Sequence, residues 1–247
     1  MPGKRKRLGL IDTLRGVTIL SMVLYHAMWD MVFLKGADIP WYGKAPGFFW
    51  QQSICCSFIF LSGFCVLFSR RLFRRGAEVF AAGILVSLVT GLFLPENKIL
   101  FGVLTLIGTS MLLMAGLEKK LFRKIGPVPG LLGSIILFCF LRGINRGFYG
   151  FLFLPLGQFP AGLYRGLPMT FLGFTDPAFF STDYFSFFPW VLLFLCGYYC
   201  HRLLRKNNRM ESDIWNREIP ALSFLGRHSL LIYLTHQIVL YLLFMLL

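Results

Sequence analysis

Apolar residues recur in long runs along almost the whole chain, and the polar positions between them are short. Seven runs approach or exceed the roughly 20 residues needed to cross a hydrocarbon core of about 30 Å: 10–34, 48–69, 77–95, 99–117, 127–143, 188–204 and 221–246. Pro95-Glu96-Asn97-Lys98 reads as a tight turn between the third and fourth runs. Residues 144–187 are apolar and aromatic, but Pro155, Pro160, Pro168 and Pro177 interrupt them. A lipid-exposed helix does not tolerate so many breaks, so the segment is expected to form an external cap or a re-entrant segment. The polar stretch 206–220 reads as a cytoplasmic linker. No internal repeat is visible, which weighs against inverted-repeat transporter folds. The pattern predicts an all-α polytopic membrane protein, a bundle of about seven transmembrane helices forming one domain over 1–247.

Composition agrees: the chain is 56% hydrophobic and 15% charged. Its net charge of +14 would first suggest nucleic acid, but the basic residues are distributed by topology. They crowd into Lys4–Arg7, then Arg70, Arg71, Arg74 and Arg75, then Lys119, Lys120, Arg123 and Lys124, then Arg202, Arg205, Lys206 and Arg209. Intervening loops carry few. This is the positive-inside alternation. It predicts a cytoplasmic N-terminus, cytoplasmic basic loops able to touch anionic lipid, an outer C-terminus and no nucleic-acid partner. The basic start before the first run resembles a signal peptide, but the run is too long and lacks a small-residue cleavage site, so it is expected to be retained. The six cysteines lie in apolar runs without metal-ligand spacing and read as small hydrophobes, with no metal expected.

The first run holds the candidate chemistry. Arg15 and His26 are eleven residues apart, close to three helical turns, so they share a face. Asp12 and Asp30 fall on the same face. Ionisable groups on a membrane helix are costly and mark a functional path. His26 is suited to act as a general base or nucleophile, and Asp30, one turn on, is placed to fix its tautomer. The plain alternative is a histidine that glues two helices. Asp12 and Arg15 read first as an interfacial anchor or ion pair. Arg15 lies about 16 Å along the helix from His26, and its fork suits a phosphate. His236, after Tyr233, is expected at a depth near that of His26, facing the same cavity or serving as glue. His201 and His228 are expected at the interface. Asp183 and Trp190 border the sixth run on the outside, and Arg142, Asn145 and Arg146 open the external segment. No Walker, Rossmann, zinc-protease or GxSxG pattern occurs.

Arg7-Leu-Gly-Leu-Ile-Asp12-Thr-Leu-Arg15-Gly16, followed by Tyr25-His26 and Asp30, resembles the opening of bacterial membrane proteins related to heparan-alpha-glucosaminide N-acetyltransferase. Phe101–Gly108, Ser181–Trp190 with Gly197-Tyr198, and Leu225–Gln237 are similar to later segments of that family, in the same order. Two positions depart: Thr105 and Ser186 stand where the pattern often has histidine and proline. The resemblance implies transfer of an acyl group, acetyl above all, from cytoplasmic acetyl-CoA or another acyl-CoA to a hydroxyl or amine of an extracytoplasmic glycan. It implies His26 and Asp30 as catalytic residues, and Arg15, Asp12 and Arg71 around the nucleotide phosphates. Asp183, Trp190, His236 and Asn145 would meet the glycan. It places the protein, multi-pass and surrounded by membrane lipids, in a bacterial plasma membrane, and leaves a homodimer open. A different class, a transporter or proton-coupled flippase, would use the Arg15-His26-Asp30 column as a relay without acyl-CoA.

Overall fold

The computed structural model describes residues 8–151 and 154–246. The first basic cluster, Lys4–Arg7, and the C-terminal Leu247 lie outside the described residues. The described chain folds into α1 (Gly9–Phe33), α2 (Ala45–Phe64), α3 (Leu72–Phe93), α4 (Val103–Leu117), α5 (Pro127–Phe140), a hairpin of β1 (Phe148–Phe151) and β2 (Leu154–Gln158), α6 (Gly166–Leu172), α7 (Phe187–Lys206), α8 (Pro220–Arg227) and α9 (Ser229–Leu246). Among the described residues six helical segments are long and apolar enough to cross a bilayer: Gly9–Phe33, Ala45–Phe68, Leu72–Phe93, Pro127–Arg146, Phe187–Lys206 and Ser229–Leu246.

Two of the expected runs are built differently. The run 99–117 becomes α4, which starts only at Val103. Phe101 takes a left-handed backbone (φ 56°) and Gly102 is extended, so the helix cannot begin earlier. A single π turn, Glu118–Phe122, continues it into the basic loop. The run 221–246 is broken at His228, where the backbone leaves the helical region between α8 and α9. The second basic cluster is also not purely a loop: Arg74 and Arg75 lie in the first turn of α3, and Arg74 pairs with Glu78 at 2.8 Å.

The chain forms two compact units. One comprises Met1–Phe58 with Asn207–Leu247, the other Ile59–Lys206. Inside the first unit, α1 packs on α8 and α9. The α1–α8 crossing is backbone to backbone. A Cβ added to Gly16 would lie 1.9 Å from the Leu222 carbonyl oxygen, and one added to Gly226 the same distance from that of Asp12. Hydroxyls finish the seam: Thr13 Oγ1 meets Ser223 Oγ at 2.9 Å and accepts from the Ile219 amide at 3.1 Å. The 206–220 linker takes two 3-10 turns, Arg209–Glu211 and Asp213–Asn216, and Trp215 Nε1 donates to the Arg209 carbonyl at 2.7 Å.

In the second unit the same device recurs. Gly63 and Gly197 meet the carbonyl oxygens of Phe194 and Phe60, and Gly83 and Gly108 meet Thr105 and Phe80. Lipid offers no hydrophobic drive between helices, so close approach through small residues supplies the contact. Arg202, from the fourth basic cluster, donates to the Phe122, Ile125 and Arg123 carbonyls at 2.8–3.1 Å, which satisfies the chain end after the π turn. His201, expected at the interface, is covered by protein: it is 3% exposed, bonds the Phe64 carbonyl through Nδ1 at 2.7 Å and packs between Phe64 and Phe68.

Residues 144–187 contain no spanning helix among those described. The β1–β2 hairpin is antiparallel with a bulge at Tyr149/Gly150, and Phe140 of α5 touches the rings of Tyr149 and Phe151. The segment is tied at its ends. Asn145 Nδ2 has the Gly173 carbonyl, Thr175 Oγ1, Tyr184 OH and Ser186 Oγ within 3.0–3.3 Å. Tyr164 OH donates to the Ile144 carbonyl at 2.7 Å.

Candidate active site

The first unit brings His26 on α1 and His236 on α9 face to edge, with ring centroids 4.7 Å apart. Each imidazole spends its Nδ1 on its own helix. His26 Nδ1 lies 2.9 Å from the Met22 carbonyl oxygen, and His236 Nδ1 lies 2.6 Å from that of Tyr233. A carbonyl only accepts, so both rings carry the proton on Nδ1 and present Nε2 as a lone pair. Main-chain bonds within each helix therefore fix the tautomers. Asp30 was expected to fix that of His26, but Met22 does so.

Asp30 has another partner. It is 0% exposed, and its Oδ1 accepts from Gln237 Nε2 at 3.0 Å, which ties α1 to α9 one turn beyond the histidines. Three atoms of this cluster, Asp30 Oδ2, His236 Nε2 and Gln237 Oε1, are buried without a hydrogen-bond partner among the described residues. All three are acceptors once the tautomers are fixed. Native proteins satisfy nearly all such groups, and the exceptions call for a reason. Here three acceptors lie together, and the Gln237 amide nitrogen beside them is spent on Asp30 Oδ1. Gln237 was not singled out from the sequence; its adjacency to His236 was visible, but its reach to Asp30 depends on how α9 lies on α1.

Aromatic side chains wall this cluster. Tyr25 packs edge-on to His26 (5.8 Å) and to Trp50 (5.3 Å), and lies 5.1 Å from Tyr42. Tyr42 OH donates to the Tyr25 carbonyl at 3.0 Å and Trp50 Nε1 to Ser21 Oγ at 2.8 Å. The wall rests on Ile19, Met22 and Ile54.

At the other end of α1, Asp12 is buried in the first turn, where a carboxylate favours the helix N-terminus. Arg15 is half-buried and forms no hydrogen bond or ion pair with a described residue.

The remaining sequence candidates lie in the second unit, except His228, which belongs to the first. Arg71 is exposed and precedes the first turn of α3. Asp183 sits at the N-terminus of α4, where a Cβ on Gly102 would meet its Oδ2 at 3.1 Å. Trp190 is only 4% exposed: it packs on Phe138 and Phe185 with the Arg142 guanidinium 4.7 Å above its ring. Asn145 is spent on the knot described above. Thr105 is buried against Gly83. His228 is exposed at the α8–α9 break, its Nδ1 2.9 Å from the Phe224 carbonyl oxygen. Among the described residues no group of three or more His, Cys, Asp or Glu is placed to hold a metal ion.

The profile of the family described as heparan-alpha-glucosaminide N-acetyltransferase, catalytic, matches residues 7–238. No curated protein and no solved structure matches the chain. The matched stretch carries α1 with His26 and Asp30 at one end and reaches His236 and Gln237 at the other. By that match, over nearly its whole length, the chain belongs to the heparan-alpha-glucosaminide N-acetyltransferase catalytic family, and is a multi-pass membrane acyltransferase.

Proposed function

We propose that the protein transfers an acetyl group from cytoplasmic acetyl-CoA, or a related acyl-CoA, to a hydroxyl or amine of an extracytoplasmic glycan. The observation that carries this reading is the acceptor-only cluster. Two Nε2 lone pairs, a carboxylate oxygen and an amide oxygen converge from α1 and α9, and the Gln237 amide nitrogen among them is spent on the other Asp30 oxygen. The nucleophile of an acyl transfer is such a donor. An O–H or N–H entering here would hydrogen-bond to His26 Nε2, which removes its proton as the acyl carbon is attacked. The resulting imidazolium is stabilised by the Asp30 carboxylate nearby. A ping-pong route, in which His26 holds the acyl group between two half-reactions, uses the same atoms. His236 faces the same event and holds the acceptor. Asn145, Asp183 and Trp190 shape the 144–187 segment by their internal contacts, as an external cap.

Arg15 supplies the anion contact. A half-buried guanidinium without a partner among the described residues favours a bidentate phosphate, and about 16 Å of helix separates it from His26, room for an extended thioester arm. Asp12 and Arg71 belong to the same cytoplasmic side in this reading. The basic loops support assigning that side, with the N-terminus on the cytoplasmic face of a bacterial plasma membrane in this reading.

The test is labelled acetyl transfer to an extracytoplasmic glycan by purified, membrane-inserted protein, with acetyl-CoA binding measured in parallel. Arg15→Ala should weaken acetyl-CoA binding by roughly 10-fold or more, the value of a charged hydrogen bond, and parental binding should weaken as salt rises. Unchanged affinity in Arg15→Ala would move the donor site elsewhere. Proton flux without acetyl transfer would replace the reading with the relay.

A further inference from the structure

The 144–187 segment contains a cleft of about 810 Å³ that takes no part in the proposed transfer. Phe148, Phe159 and Tyr164 form its apolar wall, and Arg146, Arg165 and Asp176 its charged lining. Both arginines are exposed, and neither is in an ion pair within 4.0 Å with a described residue. Asp176 is occupied: its Oδ2 accepts from the Gly166 amide at 2.6 Å and its Oδ1 from the Ala178 amide at 2.9 Å. It closes the loop and offsets one arginine. Two cations against one anion leave the cleft with one net positive charge.

The cleft also has a definite depth. It follows a candidate span that ends at Arg146 and precedes one that starts at Phe187. The hairpin beside it is apolar and bare: Phe151, Leu154 and Leu156 are 49%, 67% and 59% exposed. A hairpin with so much bare apolar surface is at home in the outer part of a bilayer rather than in water. At that level, where acyl chains give way to headgroups, the prevailing anion is phosphate. A guanidinium fork matches phosphate oxygens, and an aromatic wall accepts the less polar part of the molecule that carries the phosphate.

We propose that this cleft binds the phosphate-bearing head of a membrane amphiphile or phosphorylated saccharide, with Arg146 and Arg165 holding the phosphate and Phe148, Phe159 and Tyr164 the adjoining group. The shared chemistry is a phosphate ester, and the two sources are separable by experiment. The site stands apart from the acetyl-transfer reading, since its readout is binding alone.

The full chain, purified in uncharged detergent, is titrated with short-chain phosphatidylglycerol and, separately, with glucose 1-phosphate. Whichever binds more tightly identifies the source. The R146A/R165A variant should lose at least about 10-fold in affinity for that probe, and R146K/R165K should recover part of it because the charge returns without the fork. Arg146→Gln alone, at an exposed position, serves if the double variant does not fold as the parent does by circular dichroism. Parental affinity in these folded Ala or Gln variants, or no binding of either probe by the parent, overturns the proposal.

Discussion

Asn145 and Asp30 are both short polar side chains in apolar surroundings, and the protein treats them in opposite ways. Around Asn145, hydroxyls, a carbonyl and a tyrosine surround the amide nitrogen, and Ser186 donates back to its oxygen. Around Asp30, Gln237 takes one carboxylate oxygen, while the other oxygen, the Gln237 carbonyl and His236 Nε2 have no hydrogen-bond partner among the described residues. A buried polar group without a partner costs about 1–3 kcal/mol. The Asn145 knot avoids that cost and holds a segment in shape. The Asp30 cluster carries it, as sites do when a ligand supplies the missing donor.

This contrast separates what each cluster does to activity from what it does to stability. The largest expected effect is His26→Ala, which should lower acetyl transfer by about 10²–10⁴-fold while acetyl-CoA binding and the unfolding temperature stay near parental. A parental transfer rate would return the cluster to interhelical glue. Asp30→Asn keeps the shape, and the amide can still bond Gln237, but the charge is gone. Transfer at neutral pH should fall to a level between the parent and His26→Ala, and a rate equal to the parent would remove the carboxylate from the mechanism. Asn145→Ala should do the reverse. It strands several acceptors and should destabilise the fold by about 1–3 kcal/mol, with transfer per folded molecule unchanged. A selective loss of transfer would place Asn145 in the site instead.

Much of this was legible in the sequence, because a bilayer leaves few ways to arrange an apolar run. Hydropathy located the six helices long enough to span and counted the shorter α4 with them, and helical spacing placed His26 and Asp30 on one face of α1. The break at His228 was not legible, since Gly226-Arg227-His228-Ser229 lies inside a continuous apolar pattern and the turn is fixed by α8 docking on α1. The hairpin was hidden because both of its faces are apolar, which removes the alternation that betrays a strand. The His26–His236 contact joins residues 210 apart. Matching depth hinted at it, but which way each ring faces depends on packing. The burial of Trp190 and His201 was not legible, because position near a span end does not reveal what packs there.

The smallest effect concerns a half-buried group in the loop before α7. Asp176 keeps its pKa below the ordinary carboxylate value because the Gly166 and Ala178 amides donate to it. A depressed folded pKa means that the loop is stabilised at neutral pH and loses this contribution as pH falls through that lowered value. Hydrogen exchange at the Gly166 amide should therefore show protection in Asp176 but less in Asp176→Asn, with the difference shrinking toward acid. Equal protection in both proteins at neutral pH would mean that the carboxylate does not hold the loop.

The reciprocal glycine contacts also invert the usual map of mutational tolerance. Large residues such as Leu92, Phe93 and Leu246 lie on open surface and should exchange freely for other apolar types. Gly16, Gly63, Gly197 and Gly226 have no such latitude, because even a methyl group would intrude on a neighbouring main chain. In this protein the mildest-looking replacement, glycine to alanine, is the one that inheritance should purge most strictly.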